Sequence, residues 1–100
     1  MYESKMQSPE ADRLFDAILS LEDREACYRF FDDLCTFNEI SAMAQRLQVA
    51  QLLTEGRTFS QISAETGVSS ATITRVNKCL TYGSGGYRSV LKKTAEGGRR

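Results

Sequence analysis

The chain of 100 residues contains no histidine and no tryptophan, and it has only one proline. Without histidine it lacks the commonest general base and the commonest zinc ligand of proteins. Its three cysteines, Cys27, Cys35 and Cys79, form no Cys-x-x-Cys pair, which excludes a zinc ribbon and a thioredoxin-type redox centre. It also lacks a glycine-rich phosphate loop and a nucleophile with an adjacent base. We therefore expect no enzyme, no metal site and no cofactor.

Long apolar runs are absent as well. No segment approaches the ~20 apolar residues that a membrane span requires, and no apolar segment of a signal peptide follows the N-terminus. We expect a cytoplasmic protein whose three thiols are buried in a reducing compartment. Apolar residues make up 41% and charged residues 26%, as in ordinary globular chains, and 100 residues suffice for one domain at most.

A net charge of zero conceals an uneven distribution of charge along the chain. Residues 1–40 hold ten acidic and four basic side chains, a net charge of −6. Residues 41–100 hold three acidic and nine basic side chains, a net charge of +6. A polyanion would therefore be attracted by the second part and repelled by the first.

Apolar residues recur with the period of an α-helix between residues 9 and 53. The first two stripes are Ala11, Leu14, Phe15, Ile18 and Leu19, then Cys27, Phe30, Phe31 and Leu34. The third stripe is Ile40, Met43, Ala44, Leu47, Ala50 and Leu53. Ser8 before Pro9 predicts the first helix cap, while Ser20 and Asn38 are the candidate caps of the next two helices. Because no useful stretch alternates with period two, the sequence predicts an all-α protein.

The remaining predictions concern the end of the third helix, the last helix and the two ends of the chain. Gly56 is expected to end the third helix with a positive φ, and a last short helix is expected at 86–94. We expect a single all-α domain over residues 9–94, flanked by a flexible N-terminus over residues 1–8 and a flexible tail over residues 95–100.

Residues 59–80 match a helix-turn-helix position by position. Ser60 is expected to cap a first helix that directs Ile62 inward. Gly67 is expected to end that helix in the left-handed conformation, and Val68 fills the corner between the helices. Two helices of this length cross at a wide angle, so the second can project into the major groove of DNA.

The second helix of this segment carries most of the candidate binding residues. Ser69 or Ser70 is expected to cap it, and its inward residues are Ile73, Val76 and Leu80. The candidate DNA-binding residues are Gln61, Ser69, Ser70, Ala71, Thr72, Thr74, Arg75 and Lys78. Short hydroxyl and methyl groups allow a close approach to base edges, while basic side chains neutralise phosphates or read guanine. Further phosphate contacts are expected from Arg88, Lys92 and Lys93.

Two other interpretations of this segment stay open. The helix pair could simply present a solvated polar face, or it could belong to a protein-interaction module of a larger transcription complex with little DNA specificity of its own. No acidic residue occurs between Thr66 and Thr94, which favours DNA binding over a solvated face. Weak, salt-sensitive and sequence-indifferent binding would instead indicate the interaction module.

The run Ala71-Thr72-Ile73-Thr74-Arg75, with Asn77 and Leu80 behind it, resembles the recognition-helix signature of the Trp repressor superfamily. The preceding helix over residues 46–53, with Gly56 and Ser60-Gln61, is similar to that family too. Residues 31–36, 38–40 and 79–83 resemble its YerC/YecD-like branch more closely still, and the resemblance covers residues 10–92.

This resemblance implies an all-α, intertwined homodimer in which helices from both chains form one core. It implies a sequence-specific DNA-binding transcriptional regulator, a repressor, that reads the major groove through residues 69–78. The three apolar stripes also offer more surface than a monomer of this size easily buries, as expected of an obligate dimer.

The resemblance further makes Arg46 and Arg75 candidate effector-binding residues, since they match two arginines that hold the indole of tryptophan in Trp repressor. The glycine that follows the second of those arginines is replaced here by the branched Val76, where an indole would need room. The turn between the two helices is also shorter. We therefore expect no tryptophan corepressor, with Arg75 on a DNA phosphate and Arg46 on the surface or in an ion pair. A sensor of another small molecule stays open as a third interpretation, which a thermal shift on ligand binding would reveal.

Overall fold

Helices form all the regular secondary structure of residues 2–97, which are the residues that the computed structural model describes, with side chains described to residue 95. They are, in order, α1 (Pro9–Leu19), α2 (Arg24–Leu34), α3 (Phe37–Thr54), α4 (Phe59–Thr66), α5 (Ser70–Tyr82) and α6 (Gly86–Gly97). The all-α prediction is confirmed. None of these described helices is long and apolar enough to cross a membrane.

Contacts divide the chain into two units whose boundary lies between Ile40 and Ser41, within α3. The same boundary separates the two parts of opposite charge, so unit 1 carries −6 and unit 2 carries +6. The single domain over residues 9–94 and the flexible ends stay predictions, and residue 1 of the predicted N-terminus and residues 98–100 of the predicted tail lie outside the described residues.

Side-chain oxygens determine where the helices of unit 1 begin. The Ser8 hydroxyl accepts a hydrogen bond from the Ala11 N–H at 3.0 Å, which confirms the predicted cap of α1. The prediction of Ser20 as the cap of α2 is wrong. Ser20 instead ends α1, and the Asp23 carboxylate caps α2 by accepting from the Ala26 N–H at 2.8 Å.

The start of α3 also differs from the prediction. Thr36 accepts a hydrogen bond from the Glu39 N–H at 3.1 Å, while the Glu39 carboxylate accepts from the Thr36 N–H at 2.8 Å. This reciprocal pair satisfies two backbone donors that the first turn of a helix leaves free. Asn38 was expected to cap this helix, and it lies within the first turn instead.

The apolar side chains of unit 1 are not covered by the described part of the chain. None of its described residues is fully buried, and Leu19 and Phe37 are 81% and 84% exposed. Phe30 and Phe31 pack edge to face with ring centroids 5.4 Å apart, but both are only half-buried. A cavity of about 490 Å³, lined mainly by α2 residues such as Tyr28, opens beside them. Unit 1 therefore presents an open apolar surface.

The cysteines do not behave as buried thiols within this chain. Cys27 and Cys79 are exposed, Cys35 is half-buried, and all three are free. The prediction of burial is wrong because Cys27 lies on the stripe of α2 that forms part of the open apolar surface of unit 1, and Cys79 lies outside the buried face of α5.

Unit 2 holds the hydrophobic core of the described chain. Its buried residues come from α3, α4, the turn after α4, and α5: Val49, Ala50, Leu52, Ile62, Val68, Ile73, Val76 and Leu80. Two of them, Val49 and Leu52, lie outside the predicted stripe of α3, whereas Met43 and Leu47 of that stripe are exposed. Helix α3 therefore has two apolar faces, of which one packs in the core of unit 2.

Glycines follow α3 and α5, the two helices that supply most of this core. Gly56 follows α3 with a φ of +87°, as predicted. Gly83 ends α5, and its N–H donates to the Cys79 carbonyl at 2.8 Å. A Cβ on Gly83 would collide with that carbonyl oxygen and lie 3.1 Å from its carbon. Helix α6 is longer than predicted, and Tyr87 and Leu91 pack it against the core.

Substitution Gly83→Ala should lower the free energy of unfolding by about 1–3 kcal/mol, because the added methyl group forces a backbone shift at the end of α5. Gly86→Ala is the matched control, since the nearest atom to its Cβ is the Ser84 hydroxyl at 3.8 Å. Urea denaturation of both variants measures the difference. Equal stability of the two variants would show that the close approach at Gly83 is not a constraint.

Candidate nucleic-acid interface

Helix α4 begins with a capping box that involves one of the predicted site residues. The Thr58 hydroxyl accepts from the Gln61 N–H at 3.1 Å, and the Gln61 side-chain oxygen accepts from the Thr58 N–H at 2.9 Å. The prediction that Ser60 caps this helix is wrong, because Ser60 lies within α4. Gln61 is exposed, and with its oxygen engaged, its side-chain amide nitrogen is the group left to donate to a ligand.

The turn between α4 and α5 has the predicted geometry. Gly67 adopts a φ of +75°, and its N–H donates to the Ser63 carbonyl at 2.9 Å. Val68 then fills the corner and is only 5% exposed, while its N–H donates to the Thr66 hydroxyl at 3.1 Å. The turn therefore fixes where α5 begins relative to α4. Ser63 itself is exposed.

Ser69 caps α5, which is one of the two predicted possibilities. Its hydroxyl accepts from the Thr72 N–H and donates to the Thr72 hydroxyl, both at 3.2 Å. The hydrogen of the Ser69 hydroxyl is thus used within the protein, whereas the Thr72 hydroxyl retains its own hydrogen. Both residues hold the first turn of α5.

One face of α5 points into the core and the opposite face is open. Ile73, Val76 and Leu80 are buried, which confirms their predicted inward direction. The exposed residues recur one turn apart and form what we call the α5 face: Ser70, Ala71, Thr74, Arg75 and Lys78. The structure thus brings five of the predicted DNA-binding residues onto one surface. Gln61, Ser69 and Thr72 lie at the starts of α4 and α5.

The cations of the α5 face are not neutralised by ion pairs among the described side chains. The ion pairs there join Arg29 to Glu25 on α2, and Arg57, which precedes α4, to Glu65 in the last turn of α4. Arg75 and Lys78 take part in neither pair, so their charges remain available to an anionic partner. Arg57, in contrast, is paired within its own unit.

The two candidate effector residues lie on different helices of unit 2. Arg46 is half-buried on α3, and Arg75 is exposed on α5. The ion pair considered for Arg46 is not observed among the described side chains. Val76, the residue after Arg75, is buried in the core and does not share the exposed face.

The basic residues of α6 differ in their surroundings. Lys92 and Lys93 are exposed, as expected of phosphate contacts. Arg88 is exposed as well, but its guanidinium Nε donates to the backbone carbonyl of Leu80 at 3.1 Å. Sequence reasoning missed this bond, because a contact to a backbone carbonyl leaves no pattern in the side chains.

An all-α protein with an exposed face of small, hydroxyl and basic residues on a firmly packed helix belongs to a class that binds DNA. A family model described as Trp repressor protein matches residues 9–95. The chain belongs to the Trp repressor family, which is a family of DNA-binding regulators rather than enzymes.

Individual relatives agree with this assignment. The uncharacterized protein YerC of Bacillus subtilis (strain 168) is 55% identical over 92 residues, which are 92% of this chain and 88% of that protein. A solved TrpR-like protein from Eubacterium eligens ATCC 27750 is similar with a TM-score of 0.87 and 46% identity, over 91% of this chain and 94% of that one. A proposed Trp repressor from Staphylococcus aureus has a TM-score of 0.87 and 49% identity, over 91% of each chain. The chain is thus in the YerC-like branch.

Substitution Ser69→Ala should lower the free energy of unfolding by about 1 kcal/mol, since it removes the cap of α5. Ser70→Ala is the matched control, because Ser70 is exposed, lies one residue further on and does not cap the helix. The midpoints of urea denaturation measure both effects. A Ser70→Ala variant that loses as much stability as Ser69→Ala would contradict the assignment of the cap.

Proposed function

We propose that this protein is a sequence-specific transcriptional regulator that reads the major groove of DNA with the α5 face. The main observation that supports this proposal is that the α5 face combines small, hydroxyl and unpaired basic side chains, while the opposite side of the same helix is buried in the core. A reading helix needs both properties, because base edges must be reached closely and at a fixed angle.

The side chains of the α5 face divide into two roles. Ser70, Ala71 and Thr74 approach base edges, where hydroxyl groups exchange hydrogen bonds and methyl groups contact thymine. Arg75 and Lys78 bind phosphates or the edge of a guanine. Near the start of α4, the side-chain nitrogen of Gln61 donates to a backbone phosphate. Ser69 and Thr72 contribute to DNA binding indirectly, because their hydrogen bonds order the first turn of α5.

We also propose that the protein acts as an intertwined homodimer. The supporting observation is the open apolar surface of unit 1, where Leu19, Tyr28 and Phe37 are 81%, 66% and 84% exposed in the described chain. A second copy that covers this surface would remove these apolar side chains from water, as in the apolar interfaces of obligate dimers. Two copies would present two α5 faces to the two halves of a symmetric site.

As a regulator in this family, the protein is proposed to repress transcription by occupying its site on the chromosome, in the cytoplasm of a bacterium. A tryptophan corepressor is not part of the proposal. Val76 replaces the glycine that follows the corresponding arginine in Trp repressor, so this chain departs from the family's tryptophan site at that position. Arg75 is assigned to DNA because it is exposed on the α5 face and takes part in no ion pair among the described side chains.

The experiment that tests this function is the selection of bound fragments from a genomic DNA library by the purified protein, with and without tryptophan. A two-fold symmetric motif with half-sites about one helical turn apart is expected, and tryptophan should not change its recovery. Fragments without a common motif would overturn the proposed function in favour of an interaction module. Recovery only with tryptophan would overturn the exclusion of the corepressor.

Substitution Thr74→Ala should weaken binding to the selected motif by about 1–3 kcal/mol and relax the choice of base at one position in each half-site. Ala71→Glu should abolish binding, because it places a negative charge against the DNA. Gln7→Glu is the control for added charge, since Gln7 is exposed and precedes α1, where the helix dipole tolerates an acid. Competition binding against mismatched duplexes measures these effects. Loss of binding in Gln7→Glu equal to that in Ala71→Glu would argue against direct reading by α5.

Substitution Phe37→Asp should convert the dimer to monomer, because it places a charge in the proposed apolar interface. Tyr82→Asp makes a similar change at an aromatic residue of unit 2 that is 82% exposed at the end of α5, and it should leave the dimer intact. Sedimentation equilibrium measures the mass of each variant. A dimeric Phe37→Asp variant would remove this surface from the interface.

A further inference from the structure

We infer that Arg88 is a positioning residue, which holds the C-terminal end of the reading helix α5 and does not bind a DNA phosphate. The inference rests on the proposed function of the α5 face. It concerns a residue that its charge and its place near Lys92 and Lys93 would otherwise assign to the DNA backbone.

Arg88 supplies a hydrogen-bond donor to the Leu80 carbonyl, which has no such donor within α5 itself. In a continuing helix, the Leu80 carbonyl would accept from the N–H of residue 84. Helix α5 ends at Tyr82, so that partner is lost. The Nε of Arg88, eight residues later on α6, donates to this carbonyl at 3.1 Å in a partly buried position. The bond therefore ties the first turn of α6 to the last turn of α5.

Charge at the end of α5 favours this bond, because a cation near the carbonyl end of a helix is stabilised by the helix dipole. Arg88 itself lies in the first turn of α6, where the dipole of that helix opposes its charge, so the Leu80 carbonyl of α5 is the group that compensates it. Arg88 also lines a surface cavity of about 260 Å³ with Thr54, Leu91 and Lys92.

The geometry around Arg88 leaves little freedom in the connection between the helices. Gly83 has no room for a Cβ against the Cys79 carbonyl, and Tyr87 and Leu91 pack α6 against the core. Leu80 is itself in that core. Arg88 thereby fixes the end of α5 that carries Lys78, while Ser69 fixes the other end.

Three substitutions separate the hydrogen bond from the charge. Arg88→Gln places an amide nitrogen as far along the side chain as the arginine Nε, without the charge. Arg88→Lys keeps the charge but moves the donor one bond further out, and Arg88→Met removes both. Lys92→Met is the matched control, because it removes a cation one helical turn further along α6.

Two measurements on the full chain decide the role. Amide hydrogen exchange of the free protein at Gly83 and Ser89, whose N–H groups bond to the Cys79 and Gly85 carbonyls at the two ends of this connection, reports its order. Binding to the selected motif and to a nonspecific duplex of equal length, over a range of salt concentrations, reports phosphate contacts.

The positioning role predicts that Arg88→Met raises exchange at Gly83 about tenfold, as for a lost bond from a charged donor, and weakens binding to the motif while the salt slope stays unchanged. Arg88→Gln should restore both properties. A phosphate contact predicts the opposite: both duplexes weaken equally, the salt slope falls by about one unit, and only Arg88→Lys restores binding. That result, or equal exchange in Lys92→Met and Arg88→Met, would overturn the inference.

The exchange measurement needs no DNA, so it keeps this inference separate from the proposed function. If the wild-type protein selects no motif, the proposed function fails, whatever happens at Gly83. If a motif is selected but exchange at Gly83 in Arg88→Met equals that of the wild type, the proposed function stands and the role of Arg88 does not.

Discussion

The packing of one side of α5 into the core of unit 2 is the contact on which the rest of the site depends. Ile73 and Val76 are enclosed by residues of α3 and α4, and this fixes the rotation of α5 about its own axis. Since side chains of a helix recur every 3.6 residues, fixing the inward face also fixes which residues point outward. The polar and basic residues of α5 share one exposed surface for this reason.

The start and the end of α5 are held by contacts of different kinds. At the start, a left-handed glycine, a buried valine and a serine cap set the direction of the chain. At the end, Gly83 and Arg88 bring α6 onto the helix. A helix of 13 residues held in this manner has little freedom to bend or fray, and a surface that is to match base edges gains from such order before any DNA is bound.

The periodic pattern of apolar residues predicted the helices and the inward face of α5, because burial repeats with the geometry of the backbone. It did not predict the helix caps equally well. Thr58 and Ser60 both have a side chain suited to capping, and the choice depends on which residue leaves the extended conformation first. The bond from Arg88 to Leu80 was beyond prediction, because it depends on the path of the chain through the glycine-rich connection.

None of the described side chains of unit 1 is fully buried, so its helices gain little free energy from a core of their own. Helices of 11 residues are marginal in water on their own. In the proposed homodimer the second copy supplies the missing contacts, and stability that is supplied by association follows the law of mass action. For such a dimer, dilution lowers the melting temperature of unit 1 while the core of unit 2 melts at a constant temperature, and calorimetry shows two parts rather than one.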